Sequence, residues 1–190
     1  MKIFYMMGKS SSGKDTLFNL LKNELDVNTY VMYTTRPKRE GEIEGVTYNY
    51  LTLEQMQKYI NGQMPQKLIE QRTYNTAHGP WTYATIADSQ FESEKDMLMM
   101  GTLESYMEMK KYFENKLVPI YIEVEDGLRL ERALQREKKQ KEPKYVEMCR
   151  RFVADSKDFS EENIQKAEIT KKFENIVLED CLKEILQYIK

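Results

Sequence analysis

The chain has 190 residues, of which 41% are hydrophobic and 32% are charged, and its net charge is −2. This length and balance favour a globular protein with a sizeable core, and no apolar run approaches the roughly 20 residues of a membrane-spanning helix. The acidic net charge, without aromatic residues interleaved among basic ones, argues against a nucleic-acid partner.

The first predicted strand, residues 3–7, leads directly into the most specific motif of the chain. Residues 8–16 read Gly-Lys-Ser-Ser-Ser-Gly-Lys-Asp-Thr and match the phosphate-loop pattern G-x-x-x-x-G-K-[ST] except at its last position. Gly8 and Gly13 permit a tight turn that points backbone N–H groups inward, and the dipole of a helix predicted over 14–25 adds positive potential. We therefore predict a nucleoside triphosphate site. Its residues are Gly8, Lys9, Ser10, Ser11, Ser12, Gly13, Lys14, Asp15 and Thr16.

Asp15 is the departure from that pattern. The usual loop has a hydroxyl residue there, which binds Mg²⁺. The Asp15 carboxylate could bind the metal directly, or it could repel phosphate and leave the hydroxyl role to Thr16. Both residues are therefore candidate metal ligands, and the sequence leaves the choice between them open.

A second strand is predicted at residues 30–33, and two arginines follow it closely. Arg36 and Arg39 are three residues apart, and paired guanidinium groups suit bidentate binding of a phosphate. Gly41 and Gly45 would let the chain fold back so that the Tyr48 hydroxyl reaches the same oxygens. The whole stretch 34–89 is rich in strand-like pieces, has one predicted helix at 53–60, and is expected to form a β-rich insert.

The rest of the chain returns to alternating apolar runs and helical periodicity, which favours a mostly parallel sheet. Strands are predicted at 97–100, 118–123 and 173–177, and helices at 104–113, 126–136 and 179–189. Asp126 is placed to cap its helix, and residues 137–145 are so densely charged that we expect an exposed, mobile loop. The two cysteines, Cys149 and Cys181, lack paired spacing and are expected to stay reduced in a cytosolic protein.

The segment from Arg129 to Arg151 has nine Lys and Arg against four Glu. Such a run is commonly a solvated helix face, but beside a polyphosphate site it is also suited to binding phosphates. Taken together, the motifs resemble the guanylate kinase family, whose signature is a phosphate loop followed by T-T-R-x-x-R-x-G-E-x-x-G-x-x-Y. Here it stands as Thr34, Thr35, Arg36, Arg39, Gly41, Glu42, Gly45 and Tyr48.

The resemblance implies an α/β fold with a three-layer P-loop core, a mostly parallel sheet, an inserted β-rich GMP-binding subdomain and a small lid. Carried onto this chain, the core is residues 1–33, 90–128 and 155–190, the insert 34–89 and the lid about 129–154, in one domain of 190 residues. The implied reaction is ATP plus GMP (or dGMP) giving ADP and GDP, with Mg²⁺. The implied location is cytoplasmic, with no membrane or nucleic-acid partner, and the oligomeric state is left open.

The resemblance also assigns roles by position. Five basic residues would act catalytically on the phosphates: Lys14, Arg36, Arg132, Arg136 and Arg151. Arg150, one position earlier in the sequence, is the alternative to Arg151. Arg36, Arg39 and Tyr48 would hold the GMP phosphate, and Glu70 would accept hydrogen bonds from N1 and N2 of guanine. Asn175 matches a residue near the adenine, and Thr85 is the chosen contact to guanine.

Three features depart from the family. Met32 stands where a serine usually contacts the base. The family's tyrosine-glycine-serine/threonine element is matched in type by Tyr83-Ala84-Thr85 and in spacing by His78-Gly79-Pro80, and we expect His78 to be a turn residue and Trp81 to cap the cleft or pack. No aspartate follows residues 97–100, where Glu104 is the nearest carboxylate, so Asp15 is a candidate compensation.

Two other functions fit parts of the pattern. One is a related P-loop kinase of another phosphorylated acceptor, such as ribose 1,5-bisphosphate, because such kinases can have Gly-Lys-Asp in the loop. The other is a non-catalytic, guanylate kinase-like binding module. The kinase of another acceptor is disfavoured by the intact set of Arg36, Arg39, Tyr48 and Glu70. The non-catalytic module is disfavoured because the loop keeps Gly8, Gly13 and Lys14.

Overall fold

The structure is a computed structural model that describes residues 1–76 and 79–189. The strands of these ranges are β1 Ile3–Gly8, β2 Asn28–Thr29, β3 Tyr33–Thr34, β4 Asn49–Tyr50, β5 Leu68–Thr76, β6 Gly79–Ile86, β7 Met97–Met100, β8 Leu117–Glu123 and β9 Lys172–Glu174. The helices are α1 Lys14–Glu24, α2 Leu53–Ile60, α3 Leu103–Phe113, α4 Asp126–Lys138, α5 Tyr145–Asp158, α6 Glu161–Lys166 and α7 Leu178–Ile189.

A five-stranded sheet of order β2-β7-β1-β8-β9 forms the centre of the fold, and all its strand pairs are parallel. Every residue of β1 is buried, which is typical of a central strand covered on both faces. Its side chains alternate between two cores. Tyr5 belongs to the core that includes α3 and α6, whereas Phe4 belongs to the core that includes α1 and α7. The α/β class and the three-layer arrangement are therefore confirmed.

A second, four-stranded sheet of order β4-β3-β6-β5 lies between β2 and β7 in the sequence. Its largest part is the antiparallel pair β5 and β6, while β3 pairs in parallel with β4. α2 has the helix bounds expected from the sequence, and a capping box from Thr52 and Gln55 fixes its start. This sheet supplies four of the eight described side chains that line a cavity discussed below.

The predicted strand at 30–33 is wrong. β2 ends before it, and only Tyr33 is in a strand, which belongs to the second sheet. The intervening backbone bonds to side chains instead of a ladder: Val31 N donates to Gln90 Oε1 at 2.8 Å, and Gln90 Nε2 donates to Val31 O at 3.2 Å. The Tyr30 hydroxyl bonds both backbone groups of Ile86. These contacts join the two sheets.

The exposed loop expected at 137–145 begins later in the structure, although residues 138–145 are all exposed. α4 continues through Lys138, and Glu137 is buried and accepts a hydrogen bond from the backbone N–H of Lys144. Residues 139–144 alone separate α4 from α5. The expected cap of α4 is wrong by one residue, because Glu125 accepts from Leu128 N while Asp126 binds cations.

The last predicted strand, 173–177, is shorter in the structure, because β9 ends at Glu174. The next residue, Asn175, turns its side chain toward the phosphate loop. Both cysteines are free, with Cys149 exposed and Cys181 buried. Burial raises the pKa of the Cys181 thiol to about 11.

Candidate functional site

The phosphate loop begins at the carboxyl end of β1, and its shape depends on two glycines. A Cβ at Gly8 would lie 2.6 Å from the carbonyl oxygen of Ile122, and one at Gly13 would lie 2.3 Å from Nδ2 of Asn175. Gly13 also has a φ of 82°, a conformation that favours glycine. Both glycines of the motif are therefore required by packing as well as by the turn.

Ser11 shows that the loop is held in a costly conformation. Its φ is 64°, in the left-handed region that few residues other than glycine adopt. Within the described residues, the hydroxyl oxygens of Ser11 and Ser12 are buried without a hydrogen-bond partner. Unpaired buried hydroxyls are unfavourable, and phosphate oxygens would satisfy them.

The loop is hydrogen-bonded to the connection between β9 and α7. Asn175 Nδ2 donates to the carbonyl oxygen of Ser12 at 2.8 Å, and the amide side chain is buried. Ser12 N donates to Lys9 O at 3.2 Å, which closes the turn. The structure thus gives Asn175 a role in supporting the loop, and its predicted place near the adenine stays a prediction.

Residues of α4 and α5 also contact the loop. Asp155, on α5, accepts a hydrogen bond from Ser10 N at 2.7 Å. Arg129, on α4, is 1% exposed and donates to Ser10 O at 3.2 Å and to Asp155 Oδ2 at 3.3 Å. Asp126 binds Arg129 Nη2 at 2.9 Å and Lys9 Nζ at 3.2 Å. Sequence reasoning missed Arg129 and Asp155, because nothing local to α4 or α5 shows that they meet the loop.

Lys14 and the two candidate metal ligands lie on the first turn of α1. Lys14 is half-buried, while Asp15 and Thr16 are exposed. No cluster of three or more His, Cys, Asp or Glu side chains that could hold a metal occurs in the ranges 1–76 and 79–189.

The predicted lid arginines have different surroundings. Arg132 donates to the carbonyl oxygens of Asn175 and Ile176 at 3.0 and 3.2 Å, so it holds the β9–α7 connection. Arg136 and Arg151 instead line a narrow crevice together with Ser10 and Ser11. Two further ion pairs lie within α5. Glu147 binds both Arg150 and Arg151, and this holds the pKa of Glu147 at about 2.

The paired arginines after β3 are held by a carboxylate that is part of the same motif. Arg36 is 3% exposed, and its guanidinium donates to both oxygens of Glu42, at 2.6 and 3.0 Å. Glu42 also accepts from Arg39 N at 2.7 Å and from the Tyr50 hydroxyl at 2.6 Å. Arg36, followed by Tyr50, lowers the pKa of Glu42 to about 2. Arg36 lies 5.3 Å from the ring centre of Tyr48.

Tyr83 joins this cluster, although the sequence assigned it no phosphate-binding role. Its ring centre is 5.7 Å from that of Tyr48. Hydrogen bonding of Arg36 to Glu42, opposed by burial and helped by Tyr83, holds the pKa of Arg36 above its ordinary value. Tyr48 and Tyr83 line the adjoining cavity together with Arg39, whereas Arg36 is not among its described lining residues. Hydroxyl and guanidinium donors of this kind are suited to a phosphate.

A cavity next to this cluster, named the acceptor cavity after the role proposed for it below, has a volume of about 350 Å³. It is lined by Met32, Arg39, Tyr48, Arg72, Tyr74, Trp81, Tyr83 and Arg151. Three of these are arginines, and none of the described lining residues is acidic. Arg39 lies 6.0 Å from the ring centre of Trp81, at the edge of cation–π range. The cavity therefore presents positive charge and aromatic surface to a ligand.

Glu70 and Thr85, the two residues predicted to contact guanine, lie side by side at the buried end of the same sheet face. Thr85 Oγ1 donates to Glu70 Oε1 at 2.8 Å, and both residues are at least 96% buried. Neither is among the described residues that line the cavity. Glu70 Oε2 lies 3.2 Å from Arg72 Nε, so Arg72 stands beside the carboxylate.

One of the departures noted in the sequence, the missing aspartate after residues 97–100, has a steric explanation. A Cβ at Gly101 would lie 1.9 Å from the Tyr5 hydroxyl, so an aspartate cannot occupy that position without displacing the tyrosine. Met32 Sδ contacts Arg72 Nη2 at 3.9 Å. Glu104 is exposed on α3. His78 lies outside the described residues.

Another cavity, of about 290 Å³, opens beside Lys9 at the carboxyl ends of β8 and β9. Glu123, Glu125, Asp126 and Glu174 line it. Such an acidic lining repels phosphate, so this cavity is a poor nucleotide site.

The described residues contain no helix that is long and apolar enough to cross a membrane.

Comparisons with known proteins agree with one another. The family model described as guanylate kinase matches residues 1–190. A guanylate kinase from Paraburkholderia xenovorans is 28% identical over 122 residues, which cover 63% of this chain and 52% of the relative. One from Oceanobacillus iheyensis is 30% identical over 114 residues, covering 58% and 52%. One from Blochmanniella floridana is 43% identical over 58 residues, covering 29% and 28%.

The chain thus spans between about a quarter and about half of the length of these curated relatives. Among solved structures, a guanylate kinase from Anaplasma phagocytophilum matches with a TM-score of 0.61 and 18% identity, over 99% of this chain and 84% of that one. At that identity the likeness concerns the fold.

Proposed function

Since the chain belongs to the guanylate kinase family, by a match over all 190 residues, we propose that it transfers the terminal phosphate of ATP to GMP or dGMP. The products are ADP and GDP or dGDP. Its substrates are then small nucleotides, with neither nucleic acid nor a membrane as partner. We place the protein in the cytoplasm, where both nucleotides are available and the two free cysteines stay reduced.

One observation supports this proposal above the others. Arg151 lines both the acceptor cavity and the crevice that contains Ser10 and Ser11 of the phosphate loop. A triphosphate on the loop and a monophosphate in the cavity would therefore meet at one guanidinium group. Phosphoryl transfer needs this kind of apposition, because its catalysis consists mainly of positioning and charge stabilisation.

On the donor side, the loop amides and Lys14 would bind the ATP phosphates. The buried hydroxyls of Ser11 and Ser12 supply two more donors. Asp15 and Thr16 fit a magnesium ion by the chemistry of their oxygens and by their exposure. When bound, that ion would neutralise charge on the transferred group.

On the acceptor side, Arg36, Arg39, Tyr48 and Tyr83 would hold the GMP phosphate. Arg36 is pre-positioned by Glu42, so little entropy is lost when the phosphate binds. Glu70 would accept hydrogen bonds from N1 and N2 of guanine, with Thr85 holding its carboxylate in place. A carboxylate suits guanine there, because adenine offers no N1 proton.

On the lid, Arg136 and Arg151 would neutralise the charge that develops during transfer. Arg132 would act from further away, through the β9–α7 connection that it holds. Closure of α4 and α5 over the loop would exclude water, which otherwise hydrolyses ATP.

The test is ADP formation by the purified protein against GMP, dGMP, AMP, CMP, UMP and ribose 1,5-bisphosphate. We expect turnover with GMP or dGMP, and a Lys14→Ala variant that is inactive beside an active Lys22→Ala control on the same helix. Turnover with AMP, CMP or ribose 1,5-bisphosphate and none with GMP would contradict guanine recognition. ATP binding without transfer to any acceptor would indicate a non-catalytic binding module.

A further inference from the structure

The acceptor cavity is bounded by a row of paired side chains on the β5–β6 hairpin. The antiparallel register pairs Glu70 with Thr85, Arg72 with Tyr83, and Tyr74 with Trp81. Alternate residues of a strand point to one face, so all six side chains share the face that borders the cavity. Arg72 is the middle residue of this row on β5.

Arg72 is a buried cation whose donors are poorly used. It is 8% exposed. Nη1 donates to Thr102 Oγ1 at 2.9 Å, and among residues 1–76 and 79–189 Nη2 reaches only the weak acceptor Met32 Sδ, at 3.9 Å. Nε is 3.2 Å from Glu70 Oε2, yet the two atoms do not form a hydrogen bond, and each is buried without a partner among the described residues.

This arrangement is incomplete without a ligand. A guanidinium has five N–H donors, and leaving them unpaired in a buried place is costly. Arg72 lines the cavity, whereas the neighbouring Glu70 does not. A ligand in the cavity therefore meets the Arg72 donors first, with an acceptor oxygen of Glu70 directly beside them.

We propose that Arg72 is a specificity-determining residue that donates hydrogen bonds to O6 and N7 of the acceptor's guanine base. Arginine pairs with these two acceptors in a bidentate manner, whereas adenine presents an N6 donor in place of O6. Arg72 and Glu70 together then match the acceptor and donor groups along the base edge. The aromatic rings of Tyr74, Trp81 and Tyr83 give the base apolar surfaces to contact. This inference rests on the proposed acceptor being a guanine nucleotide.

Binding measured by the fluorescence of Trp81, the one tryptophan of the chain, tests the inference without requiring turnover. The probes are GMP, 6-thio-GMP, whose sulfur is a weak acceptor, 7-deaza-GMP, which lacks N7, and IMP, which lacks only the 2-amino group. We expect the wild type to prefer GMP over 6-thio-GMP and over 7-deaza-GMP by about 5- to 100-fold. In Arg72→Met, the affinity ratios of GMP to 6-thio-GMP and of GMP to 7-deaza-GMP should both fall to about one. The affinity ratio of GMP to IMP should stay as in the wild type.

Arg72→Lys is the second variant, because it keeps a positive charge beside Glu70 if Arg72→Met unfolds. A lysine ammonium group cannot make the bidentate contact of a guanidinium group. The preference for GMP over 7-deaza-GMP should therefore be lost, while part of the preference for GMP over 6-thio-GMP remains. An equal weakening of all four ligands in either folded variant would show a merely structural role and overturn the inference.

The same data separate this inference from the proposed function. The wild type could phosphorylate GMP and yet bind 6-thio-GMP and 7-deaza-GMP as tightly as GMP. That result overturns the role of Arg72 and leaves the proposed kinase activity intact. A wild type that shows the expected binding preferences but transfers no phosphate supports Arg72 and contradicts the kinase activity. A wild type that does not bind GMP overturns both.

Discussion

The phosphate loop and the acceptor cavity are built in opposite ways. The loop is made of backbone within nine consecutive residues, and its groups are tied down by Asn175, Asp155 and Arg129. The cavity is made of side chains from several separate segments, and Arg72 within it has unsatisfied donors. Substitutions at the loop should therefore abolish transfer for every acceptor, whereas substitutions in the cavity should change which acceptor is used.

The largest effect is expected at Lys14. Replacing it with alanine removes a mobile charge from the transferred phosphates, and we expect kcat/KM to fall by about 10³-fold for every acceptor. The measurement is steady-state ADP formation, with Lys22→Ala as the matched control. A fall of less than tenfold, or a fall for one acceptor only, would contradict the assignment of Lys14 to the donor site.

In the cavity, Arg39 and Arg36 should separate binding from stability. Arg39→Ala removes an exposed guanidinium, so KM for GMP should rise by about 10- to 100-fold with the melting temperature unchanged. Arg36→Ala also leaves Glu42 without its buried partner and should cost about 1–3 kcal/mol of unfolding free energy. Initial rates and urea unfolding check the pair. Equal loss of stability in both variants would contradict the distinction.

Asp155 offers a test of the loop in the opposite direction. Its carboxylate occupies the N–H of Ser10 and adds negative charge where phosphates bind. Asp155→Ala should therefore tighten ATP binding by about 3- to 10-fold, because one competing charge-assisted hydrogen bond is lost. Calorimetric titration with ATP measures this, and Asp158→Ala on the exposed side of α5 is the control. Weaker ATP binding in Asp155→Ala would show that the carboxylate supports the loop instead.

The smallest effect is a pH dependence in the cavity's arginine clamp. The pKa of Glu42 is about 2, below the ordinary 4.5, so its pairing with Arg36 stabilises the fold fully above pH 4.5. That stabilisation is lost as the pH falls through 2. Between these values, wild-type unfolding free energy should decline more steeply than that of Glu42→Gln. Urea unfolding at four pH values checks it, and parallel curves would contradict it.

The contrast between the two regions also explains what could be predicted from the sequence. The sequence predicts the roles of Gly8, Gly13 and Lys14 because a phosphate loop is formed by residues close together in the chain. It predicts the buried strand β1 because the apolar run there is continuous. The role of Arg72 depends on strand register and on Thr102 and Met32, which are far away in the sequence. Nothing in a window around Arg72 reveals those neighbours.

The errors have the same origin. Residues 30–33 have strand propensity, but the Gln90 side chain bonds both backbone groups of Val31, and the Tyr30 hydroxyl bonds the backbone of Ile86. Glu137 belongs to a densely charged run, yet the end of α4 and Lys144 bury it. In each case a distant or tertiary partner outweighs the local pattern.

The central claim is that the loop and the cavity are two halves of one site joined at Arg151. Titration with adenosine and guanosine linked through five phosphates tests it directly, because such a molecule can bind tightly only if both halves are engaged at once. We predict that it binds about 10²-fold or more tightly than either ATP or GMP and that each nucleotide displaces it. Displacement by ATP alone, with an affinity no higher than that of ATP, would contradict the claim.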